Sequence, residues 1–137
     1  MRTSKAVWFV LTGLFLTAAA QADGPKDALD AGKAAIETID KGNYAESWEQ
    51  SAGVFKEAVQ KDQWASQLQA VRAPLGSVVS RTVLGSQQVN ALPGAPPGDY
   101  VVISYKTTFQ SKPQTVETFT VQKASDGKWR MAGYYIR

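Results

Sequence analysis

The sequence predicts an α+β domain: three N-terminal helices packed on one face of a curved four-stranded antiparallel meander, after a cleaved signal peptide. Three observations carry this. Apolar residues recur at helical spacing as far as Val71, and at a period of two from Val78 onward. In Tyr100–Phe109 the odd positions Val101, Ile103, Tyr105, Thr107 and Phe109 alternate with Ser104, Lys106 and Thr108, the pattern of a strand with one buried and one wet face. Turn-forming clusters separate the segments, including Asn90–Asp99 with three prolines.

The N-terminus has the grammar of an export signal. Arg2 and Lys5 form a basic start, Ala6–Ala20 is mostly apolar, and Ala20-Gln21-Ala22 is a small-x-small cleavage site. The apolar run falls short of the ~20 residues that span a bilayer. The expected division is a signal peptide over 1–22 and a single domain over 23–137, with no membrane span in the mature chain. No cysteine follows the apolar run, so acylation there is excluded.

The first helix is expected over 25–41, with Pro25 in the first turn, Asp27 and Asp30 near the positive end, and Gly42 as the stop. Asn43 and Glu46 have capping-box spacing and open a second helix, with Trp48, Ala52, Phe55 and Val59 on one face. Asp62 is the expected cap of a third helix carrying Trp64, Leu68 and Val71, ended by Ala73-Pro74-Leu75-Gly76. The first strand, Val78–Val89, sets Val79, Arg81, Val83, Gln87 and Val89 on one face, with a bulge expected at Gly85. The hairpin loop 110–114 leads to a third strand, Thr115–Lys123, with Glu117, Phe119 and Val121 inward. After the turn Ser125–Lys128 comes a last strand, Trp129–Ile136. There Trp129 and Met131 are out of phase with Tyr134 and Ile136 unless a bulge at Gly133 realigns them.

The 137 residues are 44% hydrophobic and 20% charged, ordinary for a globular domain. The chain has neither cysteine nor histidine, which removes thiol nucleophiles, histidine-based triads and Cys/His metal sites. No metal ligand set and no cofactor is implied. The net charge is +3, and without Arg2 and Lys5 the mature chain carries 13 basic against 12 acidic side chains, a net +1. A nearly neutral chain with no basic run argues against nucleic acid as partner. An export signal without cysteine points to a bacterial periplasm or the exterior, with the hydrophobic core alone holding the fold.

Two charges fall among inward-facing apolar neighbours: Arg81 on the first strand and Glu117 on the third. The strand bearing Tyr105 lies between them, and two strand spacings of ~4.8 Å are within reach of an arginine. Charges are rarely buried unpaired. The row Arg81–Tyr105–Glu117 is thus the floor of a ligand pocket, a structural ion pair, or a register in which one of the two charges faces water. Arg72 ends the third helix, where it bonds helix-end carbonyls or a carboxylate. Trp48 and Trp64 are candidates to stack on a ligand, against the plainer reading of core aromatics. Tyr44, Tyr100 and Tyr135 are expected as edge residues.

The chain also resembles a known family. Ser47-Trp48, Trp64, Arg72-Ala73-Pro74-Leu75-Gly76, Ser80-Arg81, Leu92-Pro93-Gly94, Gly98-Asp99-Tyr100, Glu117, Asp126-Gly127-Lys128-Trp129 and Gly133-Tyr134 occur in this order. The ordered set is similar to a small bacterial secreted family catalogued as domain of unknown function 4019. The resemblance covers nearly all of the mature chain. It implies an exported protein without an assigned activity and, by analogy, a cystatin-like or nuclear-transport-factor-like cone.

The function expected is a non-catalytic module of the cell envelope that binds an unidentified small molecule or envelope protein. One alternative is an acid/base enzyme with Glu117 as base and Tyr105 as donor. A neighbouring Arg81 would weaken that base. The other alternative is an assembly partner docking through a sheet edge.

Overall fold

The computed structural model describes residues 25–137. The expected signal peptide, residues 1–22, lies outside these. Helix α1 runs Lys26–Asp40, α2 Tyr44–Glu49, α3 Gly53–Ala58 and α4 Lys61–Arg72, followed by a 3-10 turn, Ala73–Leu75. Strands β1 Val78–Val89, β2 Tyr100–Phe109, β3 Lys112–Lys123 and β4 Trp129–Ile136 then form one antiparallel sheet in the order β1-β2-β3-β4. This is the α+β meander that the spacing predicts.

The expected second helix is two helices, not one. The Ser51 hydroxyl donates to the Trp48 carbonyl at 2.7 Å. Ala52 turns extended, with φ −68° and ψ 153°. Its N–H leaves the helical ladder and donates to the Met131 carbonyl of β4 at 2.8 Å. An edge carbonyl of the sheet thus outcompetes a helical acceptor, and the chain restarts at Gly53. The Asn43 side chain makes no capping hydrogen bond, and α4 begins after Gln60 rather than at Asp62.

The helices cover one sheet face. Ile36 and Ile39 of α1, Phe55 of α3, and Trp64 and Leu68 of α4 pack with Val101, Ile103, Phe119, Val121, Met131 and Tyr134. Gly32 lets α1 settle on the sheet, since a Cβ there would lie 2.7 Å from the Ile103 Cδ1 and 3.4 Å from the Tyr105 hydroxyl. On β4 the register slips between Thr120 and Val121, where Gly133 and Met131 are the consecutive partners. The extra residue is Ala132, so Trp129, Met131, Tyr134 and Ile136 all reach the core.

The other face is not uniformly wet. Leu92, from the loop after β1, covers Tyr100 and Val102 together with Ala52 and Ala132. Tyr100 is fully buried, not an edge residue, and its hydroxyl donates to the Pro96 carbonyl at 2.7 Å. Two register slips on β1, at Val79 and Leu84, change the phase of that strand. After the second, Gln87 lies opposite Val102 and Val89 opposite Tyr100, so neither shares the face of Arg81 as the period-two count expects. β1 is an open edge on which Val79, Val83 and Leu84 are 64%, 53% and 58% exposed.

Candidate functional site

Four chain segments deliver charges to one place. Asp40 comes from the last turn of α1, Arg72 from the end of α4, Arg81 from β1 and Glu117 from β3. Arg81 reaches over β2, as two strand spacings allow. Its Nε donates to the Glu117 Oε1 at 2.8 Å, and its guanidinium carbon lies 5.7 Å from the centre of the Tyr105 ring. The same guanidinium forks onto Asp40, at 2.7 Å to Oδ2 and 3.0 Å to Oδ1. Arg72 donates to the Asp40 Oδ1 at 2.8 Å and lies 4.9 Å from the centre of the Phe109 ring.

Glu117 is fully buried and saturated. Its Oε1 accepts from Arg81 and from the Thr107 hydroxyl. Its Oε2 accepts from the Tyr134 hydroxyl and from the Arg81 Nη2 at 3.3 Å. Tyr134 in turn accepts from the Arg72 Nη1 at 3.4 Å. Two guanidinium groups and two carboxylates therefore balance in a closed network. Each buried charge has an opposite partner, the condition under which burial is tolerated.

The electrostatics follow from this closure. Burial alone would raise the Asp40 pKa, but hydrogen bonds from Arg81 and then Arg72 outweigh it and hold the carboxyl below its ordinary value. Burial opposes the charge on Arg81 too, and its bonds to Asp40 and Glu117 overcome that and raise its pKa. Burial pushes Tyr105 up to about 12, partly offset by the charge of Arg81. Tyr134 is raised well above the phenol range, first by burial and then by the charge of Glu117. Both phenols stay protonated donors at neutral pH.

Beside the network, α1 and the first half of β1 enclose a cleft of about 530 Å³. Leu29 and Ile36 form one wall, Val79 and Val83 the other, and Arg81, Asp40 and Tyr105 the polar end. The Tyr105 side chain is 4% exposed. Its hydroxyl makes no hydrogen bond to another described residue and does not stand among the sealed, unpartnered side-chain atoms.

The structure thus brings together Arg72, Arg81, Tyr105 and Glu117, of which Arg81 and Tyr105 line the cleft. Trp48 and Trp64 stand elsewhere. Trp48 donates to the Val59 carbonyl at 2.7 Å, with the Lys56 ammonium 5.4 Å from its ring centre. Trp64 is fully buried, donates to the Ser47 hydroxyl at 2.9 Å and meets Phe55 edge-on at 4.8 Å. These rings hold α2, α3 and α4 together. Asp40 and Tyr134 are the members that sequence reasoning missed. Asp40 carries a signal, since an acid in the last helical turn opposes the helix dipole and α1 has no basic residue there to answer it. Tyr134 has none that separates it from a core aromatic.

The fold and the network define a small α+β protein whose helical layer is riveted to its sheet by a buried, charge-balanced cluster. Residues 31–134 match the family described as a protein of unknown function, DUF4019, and the chain belongs to that family. Comparison with curated proteins finds no match. Among solved structures, a crystal structure described as that of a "known function protein" from Kribbella flavida DSM 17836 is 14% identical. The alignment covers 82% of this chain and 87% of that one, with a TM-score of 0.49.

Proposed function

We propose that this protein is a non-catalytic binding module of the bacterial cell envelope, and that the cleft between α1 and β1 is its ligand site. The observation that carries this reading is Tyr105. The residue is 4% exposed and lines the cleft, and its hydroxyl makes no hydrogen bond to another described residue, so it is free to donate to a molecule in the cleft. The exposed Val79 and Val83 on the same cleft supply apolar surface for a ligand to cover.

Glu117 supports a non-catalytic reading. A general base needs an accessible oxygen within hydrogen-bond reach of substrate. Both oxygens of Glu117 are occupied by protein donors, and the side chain is sealed from solvent. No three His, Cys, Asp or Glu side chains among the described residues form a cluster suited to a metal ion. No helix among them is long and apolar enough to cross a membrane.

A second reading, docking of an envelope protein along β1, draws support from the open edge and its exposed Val79, Val83 and Leu84. Mass spectrometry of protein purified from its native envelope separates the two. A co-purifying small molecule lost from Val83→Asp supports the cleft, and a co-purifying protein lost from Leu84→Asp supports the edge. The envelope assignment rests on residues 1–22. N-terminal sequencing of exported protein is expected to read Asp23-Gly24-Pro25, and a mature chain retaining Trp8 would overturn cleavage after Ala22.

A further inference from the structure

The chemistry around the cleft narrows what it can hold, given the reading of the cleft as a ligand site. Its lining carries the acids Asp30, Glu37 and Asp40 and the bases Lys33 and Arg81. None of these charges is unmatched. Lys26 bridges to Asp30, Lys33 to Glu37, and Asp40 is shared by Arg72 and Arg81. Arg81 also holds Glu117 below the cleft. The cleft groups and their partners sum to four positive and four negative charges. At the polar end a charged headgroup would have to break the Arg81–Asp40 pair to find a counter-charge while losing its hydration, and at the rim it would meet only the exposed, screened pairs Lys26–Asp30 and Lys33–Glu37.

The donor free to turn into the cleft is the Tyr105 hydroxyl, which makes no hydrogen bond to another described residue. It sits under α1, which approaches it closely at Gly32. The walls leading there, Leu29, Ile36, Val79 and Val83, are aliphatic. We infer that the cleft takes a neutral amphiphile: an apolar chain carrying an uncharged ester, ether or hydroxyl oxygen that accepts the hydrogen bond of Tyr105. The chain lies along Val79 and Val83 and covers the apolar surface that the fold leaves exposed. The charge network beneath stays intact and fixes the position of Tyr105 through its contact with the Arg81 guanidinium.

The test is calorimetric titration of the exported protein with three probes of equal chain length, kept below their micelle concentrations: monolauroylglycerol, laurate and dodecylamine. Monolauroylglycerol is expected to bind at least about tenfold more tightly than either charged probe. Tyr105→Phe keeps the ring and removes the donor, so it should weaken monolauroylglycerol about threefold to tenfold. Val83→Asp, at an exposed position where folding is insensitive, should abolish binding. Laurate or dodecylamine binding as tightly as monolauroylglycerol, or a Tyr105→Phe variant that binds unchanged, overturns the neutral-ligand inference and leaves the cleft standing as a site. If no probe binds, or Val83→Asp binds like the parent chain, the cleft reading fails and the inference with it.

Discussion

Asp40 and Arg81 lie 41 positions apart and are joined by two hydrogen bonds, at 2.7 and 3.0 Å, that tie the end of α1 to the free edge of the sheet. Asp40 is unfavourable where it stands in the helix, because its charge opposes the dipole of the last turn. Its place is explained by the two arginines that reach it from other elements. α1 thus ends where the sheet needs an anion.

Acid should weaken the fold through Asp40. Its folded-state pKa lies below the ordinary carboxyl value of ~3.9. The stabilisation is therefore complete above that value and is lost as pH falls through the lower folded pKa. Asp40→Asn should reduce stability by roughly 1–3 kcal/mol at neutral pH, since it removes a partly exposed charge that serves two arginines. It should also flatten the acid limb of the profile. Urea midpoints measured at a series of pH values check both. An unchanged acid limb would place the sensitive carboxyl elsewhere.

Arg81 and Glu117 should prove strongly coupled. Arg81→Met or Glu117→Gln alone is expected to cost about 3–5 kcal/mol, because each leaves an uncompensated buried charge. The double variant should cost less than the sum of the two. Arg72 and Asp40 remain in the double variant and keep a balanced pair of their own, so it is expected to fold. Strictly additive losses would contradict the direct bond.

Two phenols should titrate late. Tyr105 is pushed up to about 12, and Tyr134 is raised well above the phenol range by burial and the charge of Glu117. Raised folded-state values mean that their stabilisation is present below the unfolded phenol value of ~10 and is lost as pH rises through the folded values. Absorbance near 295 nm should show a late ionisation phase that shrinks in the Tyr105→Phe, Tyr134→Phe double variant, leaving the part due to Tyr100, which burial also raises. A late phase undiminished in this variant would belong to other tyrosines.

Trp64 should dominate the helical layer. It is fully buried, bonded to Ser47 and packed edge-on against Phe55, so Trp64→Ala should cost about 3–5 kcal/mol. Trp48 is only half-buried, and Trp48→Ala should cost less. Denaturant midpoints of the two variants decide this, and the reverse order would contradict the packing.

The meander, the inward facing of Arg81 and Glu117, and the realigning bulge in β4 were all legible from period-two counting and from the rule that buried charges pair. What could not be read depends on non-local competition. The break at Ala52 exists because Met131, 79 residues later, offers its carbonyl. The bulge at Leu84, one residue before the glycine that marked it, turns Gln87 and Val89 to the opposite face. The burial of Tyr100 and Val102 follows from a loop folding back over an apparently wet face. Asp40 was legible only as a local misfit, and a misfit names no partner.

The N–H of Ala52 already occupies an outward carbonyl of β4, whereas β1 meets solvent with Val79, Val83 and Leu84 uncovered. Sheets that present two free borders can stack end to end without limit. Here the segment between α2 and α3 is held against β4 at Met131, and a strand added there would have to displace it. Among the described residues β1 is the freer border for strand pairing, and two copies joined through β1 would each use it up. Growth past such a pair would require displacing the Ala52 contact on β4.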